Sequence, residues 1–466
     1  MTPESAPAGP DDLSLSDTLC RHIANTPYEA LPEACREMTR RALLDGTGVI
    51  RAASGMSADA APFLALAAGQ APGPARILGT EMKVSAENAA FANGAMAHAL
   101  DYEDAFDAAP SHPNASMIPA ALALAQEVGA DGRTLLTALA IGCDLVCRLG
   151  LSLRRPMEAG GWYPPPIIGA YGAAAACARI LGLDERRTRD ALSLMLCQAT
   201  MPGAIKHSRD TNIRAIREAF PAQAAIHCAR LAAGGVTGFD APIEGRDSFF
   251  DLYAGGEYDG EVMLDRLGEW FHGQMLSFKP WPSCRGTHAY IELAIRLIHE
   301  AGVPIGQIAR IHAGIDKVTR MLIDPLPRKQ APAVAIDAKF SIPFTIALAA
   351  VRGHVTLDDF DAASLADPQV LAMAALVSPT EDDAPGWPAG SGGFLSVELK
   401  NGETLRGEFT TPLGSPERPL AREQLVAKFV DCAGRAQVPL APRPARRLAE
   451  RILAIDAVDD VRQVFA

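Results

Sequence analysis

Residues 85–100, SAENAAFANGAMAHAL, are the stretch that decides the fold. Alanine and glycine dominate this stretch, and its residues favour a helix rather than a strand. A helix with such small side chains gains little from their bulk but lets neighbouring helices approach closely. We therefore predict a central, tightly packed helix here.

The pattern around this helix predicts one helix after another from residue 13 to about residue 268, with few strand signals. Pro119 is predicted to lie in the first turn of a helix, and the segment from Gly129 to Gly132 to separate that helix from the next. Asp184 is predicted to cap a later helix, and Gly234 follows the end of another. The expected architecture is helix packed against helix.

The pattern changes near Phe271. Residues 308–316, IARIHAGID, alternate as a strand does, and residues 394–410 place Asn401 and Gly402 between two alternating runs, which predicts a β-hairpin. The last segment returns to helical spacing. We therefore predict a mainly α fold, with a large all-helical domain (13–271 and 411–466), a smaller inserted α+β domain (272–410) and a flexible segment (1–12).

Composition excludes several classes of protein. The chain of 466 residues is 48% hydrophobic and 21% charged, as folded globular proteins are. No run approaches the roughly 18 apolar residues of a membrane span, and the N-terminus lacks the basic start and apolar core of a signal peptide. The nine cysteines form no CxxC pair, which argues against a disulfide framework or structural zinc. We expect a cytoplasmic protein without a membrane partner.

The net charge of −12 and the lack of a long basic run make nucleic acid an unexpected partner. GxGxxG, P-loop and GxSxG motifs are absent, which removes the usual nucleotide-binding and serine-hydrolase classes. Acid–base chemistry remains, and an anionic substrate would need a local cationic pocket.

Acids and a histidine converge at the end of the central helix, at His98, Asp101, Glu103 and Asp104, and His112 follows shortly after. A carboxylate and an imidazole in one cavity can remove and return a proton. The alternative interpretation is a capped helix end with solvated acids. His98, Asp101 and Asp104 also have spacings that could suit a metal, but no HExxH or similar motif supports that interpretation, so we expect none.

Three other segments contain candidate residues. Tyr163 lies in a rigid Gly/Pro-rich loop before a helix, where its hydroxyl could donate a proton or bind a carboxylate; an interface aromatic is the ordinary alternative. The cationic stretch 206–217 could bind carboxylates, and solvated charge is the ordinary alternative for it. The proline-rich loop 279–288, which opens a helix, could also bind carboxylates. The candidates for carboxylate binding are Lys206, His207, Arg217, Lys279, Cys284 and Arg285.

Residues 93–104 and 111–150 together resemble the diagnostic stretch of the MmgE/PrpD family. The likeness continues through GAYGAAAACARILGLD, FPAQAAIHCARLAAGGVTGFD, FKPWPSCRGTHAYIE, KFSIPF and PLAREQLVAKF, which span nearly the whole chain. Members include 2-methylcitrate dehydratase, cis-aconitate decarboxylase and iminodisuccinate epimerase. The resemblance implies a large helical domain with a smaller α+β domain, a homodimer, a small polycarboxylate substrate and no cofactor.

The resemblance implies catalytic roles for Asp101 and His112, and His288 matches a histidine common in the second motif. Lys279 matches a basic residue of the same loop. Four positions depart from the dehydratase and decarboxylase patterns: Tyr163 and Cys284 replace histidines, Arg217 replaces a lysine, and Phe344 replaces a tyrosine of the decarboxylase.

These matches predict a lyase of the dehydratase type, in which the Asp101 and His112 set removes a proton next to a carboxylate and Tyr163 or His288 supplies the acid. Arg217 would bind a carboxylate with two hydrogen bonds unless it pairs with a neighbouring acid such as Glu218. Because two histidines are replaced, cis-aconitate decarboxylation is the least expected family activity. The alternatives are an epimerase on the same site and a non-catalytic carboxylate-binding protein.

Overall fold

The computed structural model describes residues 13–109, 111–208, 211–380 and 392–465, so the segment 1–12 that we predict to be flexible lies outside the described residues. The chain divides into two compact units. The first contains the described residues up to Ala97, then Ala108–Gln274, and the residues from Phe429 onward; the second contains His98–Asp107 and Met275–Lys428. These units differ from the predicted domains: residues 98–107 and 411–428 fall in the second unit, and residues 272–274 fall in the first.

The first unit is built mainly from helices, and the sequence predicted most of them. In chain order they are α1 (Leu15–Asn25), α2 (Glu33–Met56), α3 (Ala61–Ala68), α4 (Ala86–Ala97), α5 (Pro113–Val128), α6 (Gly132–Ser152), α7 (Pro164–Ile180), α8 (Glu185–Leu196), α9 (Ile213–Ile216), α10 (Ala219–Ala233), α11 (Phe249–Ala254) and α12 (Gly260–Leu264).

Helix α4 is the central helix that its alanines and glycines predict. It packs against α5 and α10, and Met96 in its last turn is fully buried. A Cβ atom on Gly94 would lie 2.7 Å from the carbonyl oxygen of Glu218, so only glycine allows this approach to the start of α10. The small residues therefore bring the last turns of α4 and the Arg217–Glu218 segment close together.

Two expectations for the first unit need correction. Helix α5 begins at Pro113 and contains Pro119 in its interior, because Pro113 already occupies the first turn, where a missing N–H costs nothing. A short antiparallel pair, β1 (Pro72–Arg76) and β2 (Lys83–Val84), adds strands to the predicted all-helical domain. Prolines and a glycine in β1 hid that strand from the sequence pattern.

Helix α6 is long and apolar enough to cross a membrane, but 89% of its most apolar window is buried inside the protein. A Cβ atom on Gly142 of this helix would lie 2.5 Å from the carbonyl oxygen of Gly172 in α7. This close helix–helix contact identifies α6 as a core helix.

The second unit combines a four-stranded sheet with helices. The helices are α13 (His288–Ala294), α14 (Leu326–Gln330), α15 (Ala335–Lys339), α16 (Ile342–Arg352), α17 (Ala362–Leu365) and α18 (Pro368–Ala374), and a π-helical segment (Ile295–Glu300) continues α13. The strands are β3 (Ile308–Gly314), β4 (Val377–Thr380), β5 (Gly393–Leu399) and β6 (Thr404–Phe409). Two further helices follow, α19 (Arg422–Gly434), within which the boundary between the units falls, and α20 (Pro442–Leu453).

The strand order in this sheet is β4-β3-β5-β6. The predicted hairpin is confirmed, since β5 and β6 are antiparallel with Glu398 opposite Thr404, and Gly402 has a φ of +90° in the turn. The edge strand β4 runs parallel to β3 and contains Pro379, which explains why its sequence gave little strand signal. A mainly α fold with a smaller α+β unit is thus confirmed.

Candidate functional site

The loop that follows α4 presents Asp101 from an unusual backbone conformation. Asp101 has a φ of +50°, in the left-handed region that aspartate tolerates better than most residues, and its N–H donates to the carbonyl of His98 at 2.9 Å. Its side chain is buried, with an exposure of 1%. A fixed turn, rather than a solvated helix end, therefore positions this carboxylate.

Three lysine side chains hold the three consecutive carbonyl groups of this turn. Lys339 donates to Leu100 at 2.8 Å, Lys279 to Asp101 at 3.0 Å and Lys428 to Tyr102 at 2.7 Å. The residues Lys279, Lys339 and Lys428 are 0%, 3% and 8% exposed. Hydrogen bonds from charged donors are stronger than those between neutral groups, so three such bonds stabilise the backbone of this turn. We call Lys279, Lys339 and Lys428 the lysine clamp.

Asp101 and Lys279 also form a buried ion pair. The Nζ atom of Lys279 lies 2.5 Å from Oδ1 of Asp101, and both side chains are almost completely excluded from solvent. Burial alone would lower the pKa of Lys279, but the charges of Asp101 and Glu103 outweigh it and raise the pKa. Lys279 is therefore a cation beside the predicted catalytic carboxylate.

His98 and Glu103 form a second buried pair beside the first, in which Nδ1 of His98 hydrogen-bonds to Oε1 of Glu103. The same Nδ1 atom lies 3.8 Å from Oδ1 of Asp101. The carboxylate hydrogen-bonded to His98 is thus Glu103, whereas the metal interpretation of the sequence used Asp104. Ligand atoms of His98, Asp101 and Glu103 lie within 4.8 Å of one another, so this group could also hold a metal ion. Because Lys279 and His98 engage these carboxylates, the geometry supports an acid–base network.

Lys339 and Lys428 are the residues that the sequence analysis missed. Burial, together with the nearby charge of Lys279, lowers the pKa of Lys339 to about 7, against the opposing effects of Asp101 and Glu103. Its ammonium also lies 4.2 Å from the centroid of the Phe360 ring. The sequence gave no clear signal for them: each lysine stands between an alanine and a phenylalanine, but a lysine is rarely buried, so exposed side chains were the ordinary expectation.

The structure does not support the predicted role of His288 as the acid. The side chain is fully buried, Nδ1 accepts from Nη1 of Arg285 at 3.3 Å, and Nε2 donates to the carbonyl of Ser283 at 3.1 Å. Burial and the charges of Arg285, Lys279 and Lys428 hold its pKa well below the usual value. His288 is therefore a neutral imidazole whose two nitrogens are both occupied.

Arg285 makes several contacts within the protein, and its predicted contact with a substrate stays a prediction. Its guanidinium donates to Asp107 at 3.1 Å, to the Leu413 carbonyl at 2.9 Å and to Ser415. Cys284 is partly exposed, and its N–H donates to the Lys339 carbonyl at 2.9 Å. Arg285 thus connects the loop before α13 with the segment after β6 by hydrogen bonds. A substrate contact by Cys284 stays a prediction.

In the first unit, Arg217 is fully buried and donates through Nε to Glu218 at 2.8 Å. Glu218 also accepts a hydrogen bond from Ser116. This is the pairing that the alternative interpretation of Arg217 expected. The guanidinium lies 5.2 Å from the centroid of the Tyr163 ring. Arg217 therefore helps to fix the ring that we predict to act as the acid.

The other predicted residues of the first unit are more accessible. Lys206 lies 5.3 Å from the Tyr163 ring centroid and pairs with Glu158 at 2.9 Å. His207 is exposed, and His112 is half-buried at the N-cap of α5.

The unusual pKa of Lys339 predicts a pH dependence of stability. An unfolded lysine keeps its proton up to about pH 10.5, whereas Lys339 releases it near pH 7. Between these values the unfolded chain binds more protons, so the destabilising contribution of the buried charge declines and stability increases as pH rises. One pKa unit corresponds to about 1.4 kcal/mol, so from pH 7 to 9 wild type should gain roughly 2 kcal/mol relative to Lys339→Met.

The measurement is the unfolding free energy of both proteins at pH 7, 8 and 9. Their difference removes the contributions of other titrating groups. A difference that stays constant with pH would show that Lys339 keeps an ordinary pKa.

Comparison with known proteins agrees with this architecture. The MmgE/PrpD N-terminal domain model matches residues 17–261, and the C-terminal domain model matches residues 281–453. A cis-aconitate decarboxylase-like protein of Aspergillus oryzae is 24% identical over 99% of the chain and 98% of its own length. The cis-aconitate decarboxylase of Aspergillus terreus is 21% identical over 99% of the chain and 97% of its own length. The cis-aconitate decarboxylase of Homo sapiens is 28% identical over 73% of the chain and 71% of its own length. The chain belongs to the MmgE/PrpD family.

Proposed function

We propose that the protein is a cofactor-independent lyase that removes a proton next to a carboxylate of a small di- or tricarboxylate, in a dehydratase-like reaction. The main support is the buried Asp101–Lys279 pair, in which a carboxylate able to take a proton lies 2.5 Å from a cation. The chain belongs to the MmgE/PrpD family and its relatives include proteins named as enzymes, which supports catalysis. The names of these relatives contain cis-aconitate, which supports a tricarboxylate as the substrate.

In the proposed reaction a substrate carboxylate competes with Asp101 for the ammonium of Lys279. The Asp101 carboxylate is then a stronger base, because the cation that stabilised it is shared. It takes the proton from the adjacent carbon, and Lys279 stabilises the enediolate-like charge that develops. The electron pair forms the double bond as the C–O bond breaks, and an acid protonates the departing hydroxide.

Tyr163 and His112 are the candidates for that acid. The Tyr163 ring is fixed by Lys206 and Arg217, and the half-buried position of His112 is suited to proton exchange. His288 is no longer proposed, since its neutral ring already donates to Ser283. A substrate contact by Arg285 stays a prediction.

Decarboxylation is the second candidate, because the three relatives have cis-aconitate decarboxylase in their names. In that reaction the electron pair of the broken C–C bond stays on the carbon as CO2 leaves, and an acid then protonates this carbon. The same cations stabilise the same kind of charge. Cys284 and Phe344 stand where the resemblance implies a histidine and a tyrosine in the decarboxylase, and they are the reason for placing dehydration first.

The test follows a panel of citrate-like, aconitate-like and amino-dicarboxylate compounds by NMR in D2O, with and without EDTA. We expect one hydroxylated di- or tricarboxylate to lose its α proton and gain an alkene signal, unchanged by EDTA. CO2 release from cis-aconitate would establish the second candidate, and exchange with inversion but no elimination would indicate an epimerase. Binding without any reaction or exchange would overturn the lyase proposal, and loss of activity in EDTA that a divalent ion restores would overturn the cofactor-independent mechanism.

A further inference from the structure

We propose that Lys339 and Lys428 are positioning residues, which act through the backbone of the Asp101 turn and hold its carboxylate in place for the reaction. The inference rests on the proposed function for its catalytic consequence, but its structural part is independent of any activity. Each lysine donates to the carbonyl group of a neighbour of Asp101, Lys339 to Leu100 and Lys428 to Tyr102.

Each of these two lysines joins the Asp101 turn to the loop that contains Lys279. Lys339 donates to Leu100 and also to the carbonyl of Pro282 at 3.1 Å. Lys428 donates to Tyr102 and also to the carbonyl of Lys279 at 3.0 Å. The carboxylate and its cation therefore sit on two loops that the same two ammonium groups cross-link.

The turn needs such support because its central residue has a left-handed backbone conformation. A residue other than glycine in that conformation is strained and persists when its surroundings determine it. Lys428 adds a contact from its ammonium to the Tyr102 ring, whose centroid lies 3.7 Å away. The lysines thus offset the cost of the conformation that aims Asp101.

The charge of Lys339 also changes near neutral pH. The charged groups that face it are Asp101 and Glu103 from the turn and Lys279 from the adjoining loop. Above about pH 7 its ammonium becomes an amine, which is a weaker donor to the carbonyls. The turn should then loosen, and an arginine, which stays protonated, should prevent this where it fits.

The chain provides a matched control. Lys329 is buried in the same unit, with 6% exposure, and donates to the carbonyl of Phe340 at 2.7 Å, outside the Asp101 turn. Lys329→Met removes a buried lysine and a lysine–carbonyl hydrogen bond, as Lys339→Met and Lys428→Met do. Any general effect of deleting such a lysine is therefore present in all three variants.

The first experiment measures amide hydrogen exchange of residues 98–107 in wild type and the three methionine variants, corrected for intrinsic rates. A lost charge-assisted hydrogen bond should raise exchange in this segment roughly tenfold to a hundredfold in Lys339→Met and Lys428→Met. Lys329→Met should leave it at the wild-type rate. Equal exchange in all four proteins overturns the proposal whether or not the protein is a lyase.

The second experiment measures kcat and KM against pH for the compound that reacts in the NMR panel. Lys339→Met and Lys428→Met should lower kcat roughly tenfold to a hundredfold with little change in KM, because the substrate contacts remain. In wild type kcat should fall as pH rises through about 7, and in Lys339→Arg this fall should be absent. If exchange is faster in Lys339→Met and Lys428→Met but no compound of the NMR panel reacts, the proposed function is rejected and the support of the turn by these lysines is not. Unchanged kcat in both methionine variants would reject their role as positioning residues.

Discussion

Asp101→Asn is expected to lower kcat by at least about a hundredfold, the scale for losing a positioned general base. Asparagine is the suitable replacement because it tolerates the left-handed backbone conformation of this position and keeps an oxygen that can accept from Lys279. The substitution removes the charge and little else. Steady-state kinetics on the reacting compound of the NMR panel measures the effect.

The same substitution should destabilise the fold, because Lys279 is fully buried and would lose the carboxylate charge that is hydrogen-bonded to its ammonium. Breaking a buried ion pair from one side costs about 3 to 5 kcal/mol. Adding Lys279→Met removes the uncompensated cation, so the double variant should recover most of the melting temperature but none of the activity. A double variant that regains turnover would show that Asp101 serves stability and not catalysis.

His112→Ala provides the contrast for Asp101→Asn. We expect a similar loss of kcat, at least about a hundredfold if His112 transfers a proton. Melting should hardly change, because this side chain is half-buried at a helix start and not part of the buried ion pair. Near wild-type turnover in His112→Ala would leave Tyr163 as the candidate acid.

Helical spacing in the sequence predicted most of the fold, because local periodicity reports which face of a helix is buried. The hairpin was predicted for the same reason, since its signal is the adjacent pair Asn401 and Gly402 between two alternating runs. Two strands were not predicted. Strand β4 forms by pairing with β3, which is distant in the sequence, and β1 contains prolines, which argue against a strand. Pro119 was misplaced because a second proline, Pro113, fits the helix start better.

For the candidate site, the sequence indicated Asp101 and Lys279 through motifs but not the pair that they form. Their separation of 178 residues gives no local signal. Lys339 and Lys428 are 239 and 326 residues from their carbonyl partners at Leu100 and Tyr102, so only the folded chain could identify the lysine clamp. Arg217 and Glu218 are adjacent, which is why their pairing could be named as an alternative.

Glu218→Gln is the second change with a large expected effect. Arg217 and Glu218 are 0% and 1% exposed, so the substitution removes the Glu218 charge from beside a buried guanidinium. We expect a loss of about 3 to 5 kcal/mol of stability, measured by denaturant unfolding. Glu218→Gln combined with Arg217→Met should recover most of that loss, because both charges are then removed.

Arg217→Lys then separates the two roles of the arginine. If Arg217 binds a substrate carboxylate with two hydrogen bonds, lysine should raise KM roughly tenfold to a hundredfold while kcat falls less. The pairing with Glu218 predicts a different result: KM should change by less than about threefold, because a lysine keeps the charge beside Glu218. In a double-mutant cycle Arg217→Lys and Glu218→Gln should then show strong coupling in stability and weak coupling in KM. Since Nε of Arg217 is bonded to Glu218 at 2.8 Å and its ring contact is to Tyr163, we expect this second result. A large rise in KM that is independent of residue 218 would return Arg217 to the substrate.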